Sequence, residues 1–359
     1  MDVRYEYELG RAADTITRDL FGLQLGETFV ITADTESDAR VVNAVARSAH
    51  ALGAKPMVIW LATPPGVGQV ADPALPLDAL IGALNGADAW VEFNNQWLLY
   101  STAHTKAMAE NPRLRYLNLV GMNPDMMVRC IGRVDHPTLK TFLHEAARLI
   151  TDAREVRFTS PGGTDLRFEN VPGRRALVRD GYAQTPGTYM MSGMVAWSPA
   201  LETIHGTLVF DGSLVPPCGK LEDAVSLEIR SGEIVEISGG SQAREFSAYL
   251  EAFHHPQMRK IAHAAAGFGP GARLTGNIVE DERVWGCTEW GIGHVGKYLV
   301  PPDGIPAPSH SDGQSLNSSI WVDGKPLTHD GEIVVPRLRE LARRLGKGSR
   351  GGLSCRTSG

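Results

Sequence analysis

Three residues, His263, His310 and Asp312, have the types and spacing to hold a metal. Two imidazoles and one carboxylate occupy one face of an octahedral ion and leave three positions open. That suits non-haem Fe(II), which must bind both a substrate and O2. In His310-Ser311-Asp312 the two candidate ligands stand two residues apart. In an extended segment such side chains point the same way and can reach one ion. Taken alone the pair says little: eleven His and 41 acidic residues in 359 give roughly one His-x-acid triplet by chance. Its setting adds weight, because it follows a Pro/Gly-rich run, Pro301 to Pro308, that reads as the loop rim of an active site. Around His263, Met258, Ile261, Ala262 and Ala265 fit a helical stripe, and a short strand fits equally. A lone His there is more often a core-edge residue bonded to backbone.

Other residues are candidates for substrate or proton handling. Glu289 lies between Trp285 and Trp290, and a carboxyl among aromatics is expected to have its pKa raised by desolvation. It can exchange a proton with a bound substrate, or it can orient a metal-binding His through the other ring nitrogen. His294 and Ser309 are near enough in sequence to contact a substrate, with loop hydrogen bonding as the plainer alternative. His104, in STAHTKAM, can reach a cleft between domains, although an exposed helix position is the plainer reading. The four cysteines, Cys130, Cys218, Cys287 and Cys355, are far apart and form no CxxC pair, which argues against a zinc-thiolate site or a disulfide framework. Cys287, two residues before Glu289, reads as a buried small hydrophobe.

The elements that must position these residues fall into two textures. From Ala12 to Thr151 strands and helices alternate: ETFVIT, a helix from Asp38 to Ala51, KPMVIWL, a helix over Leu77–Leu84, AWVEF, a helix capped by Ser101, RYLNLV, and a helix from Pro137. Such crossovers imply an open parallel α/β domain over 1–152. It has no GxGxxG or Walker sequence, and ATPPGVGQV is too Pro-rich for a phosphate cradle. From about Glu155 short alternating runs are separated by Gly turns, with hairpin signals at Ser231-Gly232 and Asp323-Gly324. Residues 153–346 are therefore expected to form a mainly antiparallel β/α metal-binding domain, with helices over Ala243–Phe253 and Val335–Leu345, followed by a Gly/Ser-rich flexible tail over 347–359. The fold class is α/β, α+β overall.

A net charge of −6 argues against a nucleic-acid partner, and no apolar run is long enough to span a bilayer. The N-terminus lacks a basic region followed by an apolar core, so a cytoplasmic protein, and a homo-oligomer, are expected.

The run LTGNIVEDERVWGCTEWGIG, followed by the His-x-Asp pair, resembles the aminopeptidase T family of metalloenzymes, as does WSPALETIHGTLVFDGSLVPP upstream. The resemblance covers the C-terminal half well and the N-terminal half loosely. It implies that a peptidase glutamate ligand is replaced by His263, in AHAAAGFGP, and a peptidase histidine ligand by Glu289, in CTEWGIG. This departure is similar to the branch of the 2,5-dihydroxypyridine 5,6-dioxygenases. That branch implies Fe(II) on His263, His310 and Asp312, a small aromatic substrate, and ring opening with O2, Glu289 assisting proton transfer. It also implies that Gln184–Trp197 lines the pocket, where this chain offers Tyr189, Met190 and Met191 and no histidine. The alternatives are a Zn- or Co-dependent aminopeptidase, which needs ligands for two metals, and a non-catalytic binding protein on the same scaffold.

Overall fold

The computed structural model describes residues 3–348, so the tail expected over 347–359 lies, from residue 349, outside the described residues. The chain divides into two compact units. Residues up to His136 join 179–193 and 271–273 in one; 137–178, 194–270 and 274 onward form the other.

Unit one opens with α1 (Val3–Asp14), β1 (Thr28–Asp34), α2 (Ala39–Ala51), β2 (Lys55–Leu61) and α3 (Leu77–Asn85). It continues with β3 (Ala89–Glu92), α4 (Thr102–Glu110), β4 (Arg115–Asn118) and α5 (Pro124–Met127). Local chemistry sets the ends. The Asp38 carboxylate accepts the Arg40 N–H to start α2, and Gly53 at φ +80° lies just past its end. Ser101 accepts the His104 N–H to start α4. The strands run parallel in the order β2-β1-β3-β4. Buried from Phe29 to Asp34, β1 reads as the covered strand of a parallel sheet. His104 does not sit on an exposed helix face. It is 8% exposed, with its ring 5.0 Å from Tyr116 and 6.1 Å from Trp90 in this unit's core. Burial pulls its pKa down to about 4.

After α6 (His136–Asp152) come β5 (Glu155–Thr159), β6 (Asp165–Glu169), β7 (Leu177–Arg179), β8 (Gly187–Met190) and β9 (Met194–Trp197). β8 was not foreseen in the first unit, yet it pairs parallel with β4, Tyr189 opposite Leu117, and completes that sheet. Met190 packs on the core of unit one, filling space there. The second unit continues through β10 (His205–Phe210), β11 (Ser213–Val215), β12 (Gly219–Lys220), β13 (Val225–Arg230), β14 (Glu233–Gly239) and α7 (Ser241–Ala252). β15 (Ile261–Gly267), α8 (Ile278–Asp281), β16 (Thr288–Val295), β17 (Ile305–Ser315), β18 (Ser319–Val322), β19 (Lys325–Pro326) and α9 (Pro336–Arg344) follow.

These strands make two seven-stranded sheets, β14-β13-β10-β6-β5-β18-β19 and β12-β11-β17-β16-β15-β9-β7. Ser231-Gly232 and Asp323-Gly324 all have positive φ, as two-residue hairpin turns require. The sheets pack through Phe158 and Phe168 on one and Trp197 and Trp290 on the other, with ring centroids 5.4–6.5 Å apart. Truncating one such ring to Ala costs about 3–5 kcal/mol. The loop expected over Pro301–Pro308 is shorter than its composition suggested, because Ile305 already pairs with Val295. Pro306 and Pro308 are tolerated because β11 reaches only Asp312 and Gly313, leaving that side of β17 unpaired at the prolines. Among the described residues no helix is long and apolar enough to cross a membrane.

Candidate metal centre

Three adjacent strands of the second sheet build the site. His263 on β15 lies opposite Gly291 on β16, and Gly291 lies opposite Asp312 on β17. His310 lies opposite Gly293. The conformation of His263 is thus a strand, and its imidazole shares one face of the sheet with His310 and Asp312. The other face, carrying Trp290 and Gly313, turns to the first sheet: a Cβ on Gly313 would meet the Phe210 ring.

The middle strand is glycine where the candidate ligands converge. A Cβ on Gly291 would come within 2.7 Å of His310 Cε1 and closer still to the His263 ring. Without it the two imidazoles stack, centroids 5.2 Å apart and planes 6° from parallel. β-bulges interrupt β15 between Ile261 and His263 and β16 between Gly293 and Val295, re-aiming the side chains beside them. The bulge residue His294 turns its carbonyl to His310 Nδ1 at 2.6 Å. That fixes the ring and leaves Nε2, 2.8 Å from Asp312 Oδ1, as the nitrogen for a metal.

Ligand atoms of His263, His310 and Asp312 all lie within 4.8 Å of one another, the one such group among the described residues. Burial would raise the Asp312 carboxyl, but the charge and hydrogen bond of His310, with His263 behind, hold it down at about 2. Burial would lower His310; Asp312 overcomes this and raises it. Two imidazoles against a permanent anion fit a divalent cation.

Glu289 is the floor of the site, with its side chain 0% exposed against 19% for Asp312 and 30% for His310. Its Oε2 is 3.1 Å from His263 Nε2, the nitrogen that also faces Asp312 at 3.9 Å. Glu289 and Asp312 thus face the same ring nitrogen of His263. Burial, then repulsion from Asp312, raises its pKa well above the ordinary carboxyl range. The flanking tryptophans are not the cause: Trp290 points to the opposite face, and Trp285 packs on Phe142 and Phe268. Glu289 Oε1 and Gln314 Nε2, from opposed residues, are buried without a hydrogen-bond partner, as groups awaiting a ligand would be.

The remaining candidates scatter. His294 is half-buried, with its pKa lowered by burial and by His310 nearby. Ser309 alternates to the other face of β17, where its hydroxyl meets Tyr249 of α7 at 2.7 Å. Tyr189 lies on β8 in unit one with its hydroxyl 2.7 Å from Thr185, and His104 is in that unit's core. Cys287 is buried, and burial pushes its thiol far up, so it is inert. The sequence reading missed Gly291. Its signal was the alternation Gly291-x-Gly293 inside a strand, which marks a close approach.

A family model for 2,5-dihydroxypyridine 5,6-dioxygenase matches residues 17–335. A curated relative, the 2,5-dihydroxypyridine 5,6-dioxygenase of Pseudomonas putida, is 27% identical over 321 residues, covering 84% of this chain and 89% of its own. The solved structure of 2,5-dihydroxypyridine dioxygenase from Pseudomonas putida KT2440 superposes with a TM-score of 0.75 at 22% identity, covering 93% of this chain and 99% of that one. Wild-type AmpT from Thermus thermophilus superposes with a TM-score of 0.66 at 16% identity over 92% of this chain and all of its own, a likeness of fold alone. The aminopeptidase alternative is the weaker one, and the chain belongs to the 2,5-dihydroxypyridine 5,6-dioxygenase family of ring-cleaving oxidoreductases.

Proposed function

We propose that this chain is an Fe(II)-dependent, extradiol-type dioxygenase. It opens a hydroxylated N-heteroaromatic ring, 2,5-dihydroxypyridine or a close analogue, with O2 to an N-formylmaleamate-type product. The observation that carries the metal reading is the convergence of His263, His310 and Asp312 on one sheet face, with ligand atoms within 4.8 Å of one another. A bound Fe(II) supplies the electronic coupling between a ring oxygen and O2, which as a triplet reacts slowly with a closed-shell ring.

The protein's own residues do the rest. The His294 carbonyl holds His310 in the tautomer that presents Nε2. Asp312 stays anionic at neutral pH and offsets the charge of the ion. Glu289, its carboxyl pKa raised by burial, is the proton carrier, exchanging a proton with a substrate oxygen or ring nitrogen. His294, half-buried beside His310, is the candidate for contact with the ring, and Tyr189 is the more distant candidate in sequence. A cytoplasmic location goes with this reading, since the cysteines form no CxxC pair. We further infer a homo-oligomer.

The test is O2 uptake by anaerobically Fe(II)-loaded protein offered 2,5-dihydroxypyridine and a panel of hydroxylated pyridines and benzoates. Uptake stoichiometric with loss of ring absorbance is expected for the pyridines. No uptake across the panel, with amino acids released from short peptides after Zn or Co loading, would overturn the reading.

A further inference from the structure

We propose that β2, an edge of the parallel sheet in unit one, pairs antiparallel with β2 of a second copy of this chain. The inference is independent of the reaction proposed above. β2 ends the order β2-β1-β3-β4-β8. Its register with β1 is unbroken over seven residues, from Lys55 opposite Thr28 to Leu61 opposite Asp34. The Lys55 N–H donates to the Glu27 carbonyl at 2.7 Å, so the odd-numbered residues turn their backbone groups toward β1. Alternation then turns those of Pro56, Val58 and Trp60 to the open side. Among the described residues no strand pairs with that side. Met57, Val58 and Trp60 are 38%, 36% and 47% exposed.

Other sheet edges in this protein are blunted. β12 and β19 have two residues each and β7 has three. β8 has four and follows Pro186. β14 is as long as β2, but it carries Glu233 and Glu236, and its pairing with β13 shifts register. Short length, charge and bulges are the devices that keep an edge from pairing. β2 has none of them beyond Lys55 at its first position and Pro56.

The open side of β2 complements itself. Under a two-fold axis through Val58, each Val58 N–H faces the other Val58 carbonyl, and each Trp60 N–H faces the other Pro56 carbonyl. Pro56 has no N–H, so only the Trp60 carbonyls go without a donor. The same register sets Trp60 against Pro56 and Met57 against Ile59, all apolar. The two Lys55 residues fall at opposite ends of the ribbon, opposite Leu61, so no like charges meet. An isologous contact of this kind closes as a dimer.

The experiment is sedimentation velocity on the full chain and on Trp60→Lys and Val58→Pro, at micromolar concentrations, with hydrogen exchange read at residues 55–61. Val58 turns its N–H outward, so proline there leaves the β1–β2 ladder intact. The wild type is expected to be a dimer or larger, with the Val58 and Trp60 amides protected. Each variant should at least halve the mass, and Trp60→Lys should expose the Val58 amide, with thermal midpoints retained. A monomeric wild type, an unchanged mass in Trp60→Lys, or fast exchange at Val58 in the wild-type oligomer would each overturn the proposal. If Val58→Pro fails to fold, Trp60→Lys and the exchange pattern decide.

Discussion

Replacing Gly291 by Ala tests whether the two imidazoles serve one ion. Gly291 separates His263 from Asp312 across the sheet. The new Cβ would stand 2.7 Å from His310 Cε1, where ordinary contact begins at 3.4 Å, so that ring must retreat by about 0.7 Å. The His263 ring, nearer still, must move further. Metal–nitrogen distances tolerate only about 0.2 Å, so at least one imidazole leaves the coordination sphere. Disturbing a residue behind a ligand already costs about 10–100-fold in affinity, so losing a ligand predicts Fe(II) or Co(II) binding weakened by at least about 100-fold. Gly291 is not among the glycines at positive φ, so the cost of alanine is contact and not backbone strain. Adding His263→Ala relieves the closer of the two clashes, and the double variant should regain part of the stability without regaining metal. Anaerobic metal titration by calorimetry, beside thermal melting and O2 uptake, reads all three. A folded Gly291→Ala protein with wild-type metal affinity would refute the shared site.

His310→Ala should remove bound iron and O2 uptake together while the protein stays folded, since the side chain is 30% exposed; full activity in that variant would sink the ligand assignment. Glu289→Gln keeps the shape of the floor but cannot give up a proton, so kcat should fall by about 100-fold or more with metal content retained. An unchanged kcat would remove Glu289 as proton carrier. In unit one, burial raises the Glu92 carboxyl from 4.5 to about 7, against hydrogen bonds from Tyr116 and the Leu98 N–H. Between those values only the unfolded chain releases the proton, so Glu92 lowers stability as pH rises, by about 3 kcal/mol in all at about 1.4 kcal/mol per unit. Neutral, buried His104 works in reverse, because below 6.5 the unfolded chain takes up a proton that the folded chain accepts only near 4. Glu92→Gln should therefore gain about 3 kcal/mol relative to wild type between pH 4.5 and 7 in urea denaturation. Parallel pH dependences would contradict a buried acid at this position.

The sequence by itself determined the features that depend on near neighbours. Asp38 and Gly53 bound α2, and the pairs at Ser231-Gly232 and Asp323-Gly324 turn hairpins, because caps and turns are closed by residues a few positions apart. His310 and Asp312 share a face because strand alternation alone puts them there. The family's long motifs pointed to His263 as their partner. Tertiary structure decided the rest. His263 sits in an alanine run whose apolar residues satisfy both the helical and the strand period, and only pairing with β9 and β16 makes it a strand. β8 joins a parallel sheet through β4, a long-range pairing that no local pattern encodes. Ser309 and Glu289 were near the candidate ligands in sequence, yet alternation and the stacking of two sheets sent one away to Tyr249 and buried the other beside His263. The vacant Cβ position of Gly291 matters only because two imidazoles arrive from strands on either side of it. Periodicity fixes where a side chain points along its own strand; which side chains meet across strands depends on register, and register is a property of the assembled sheet.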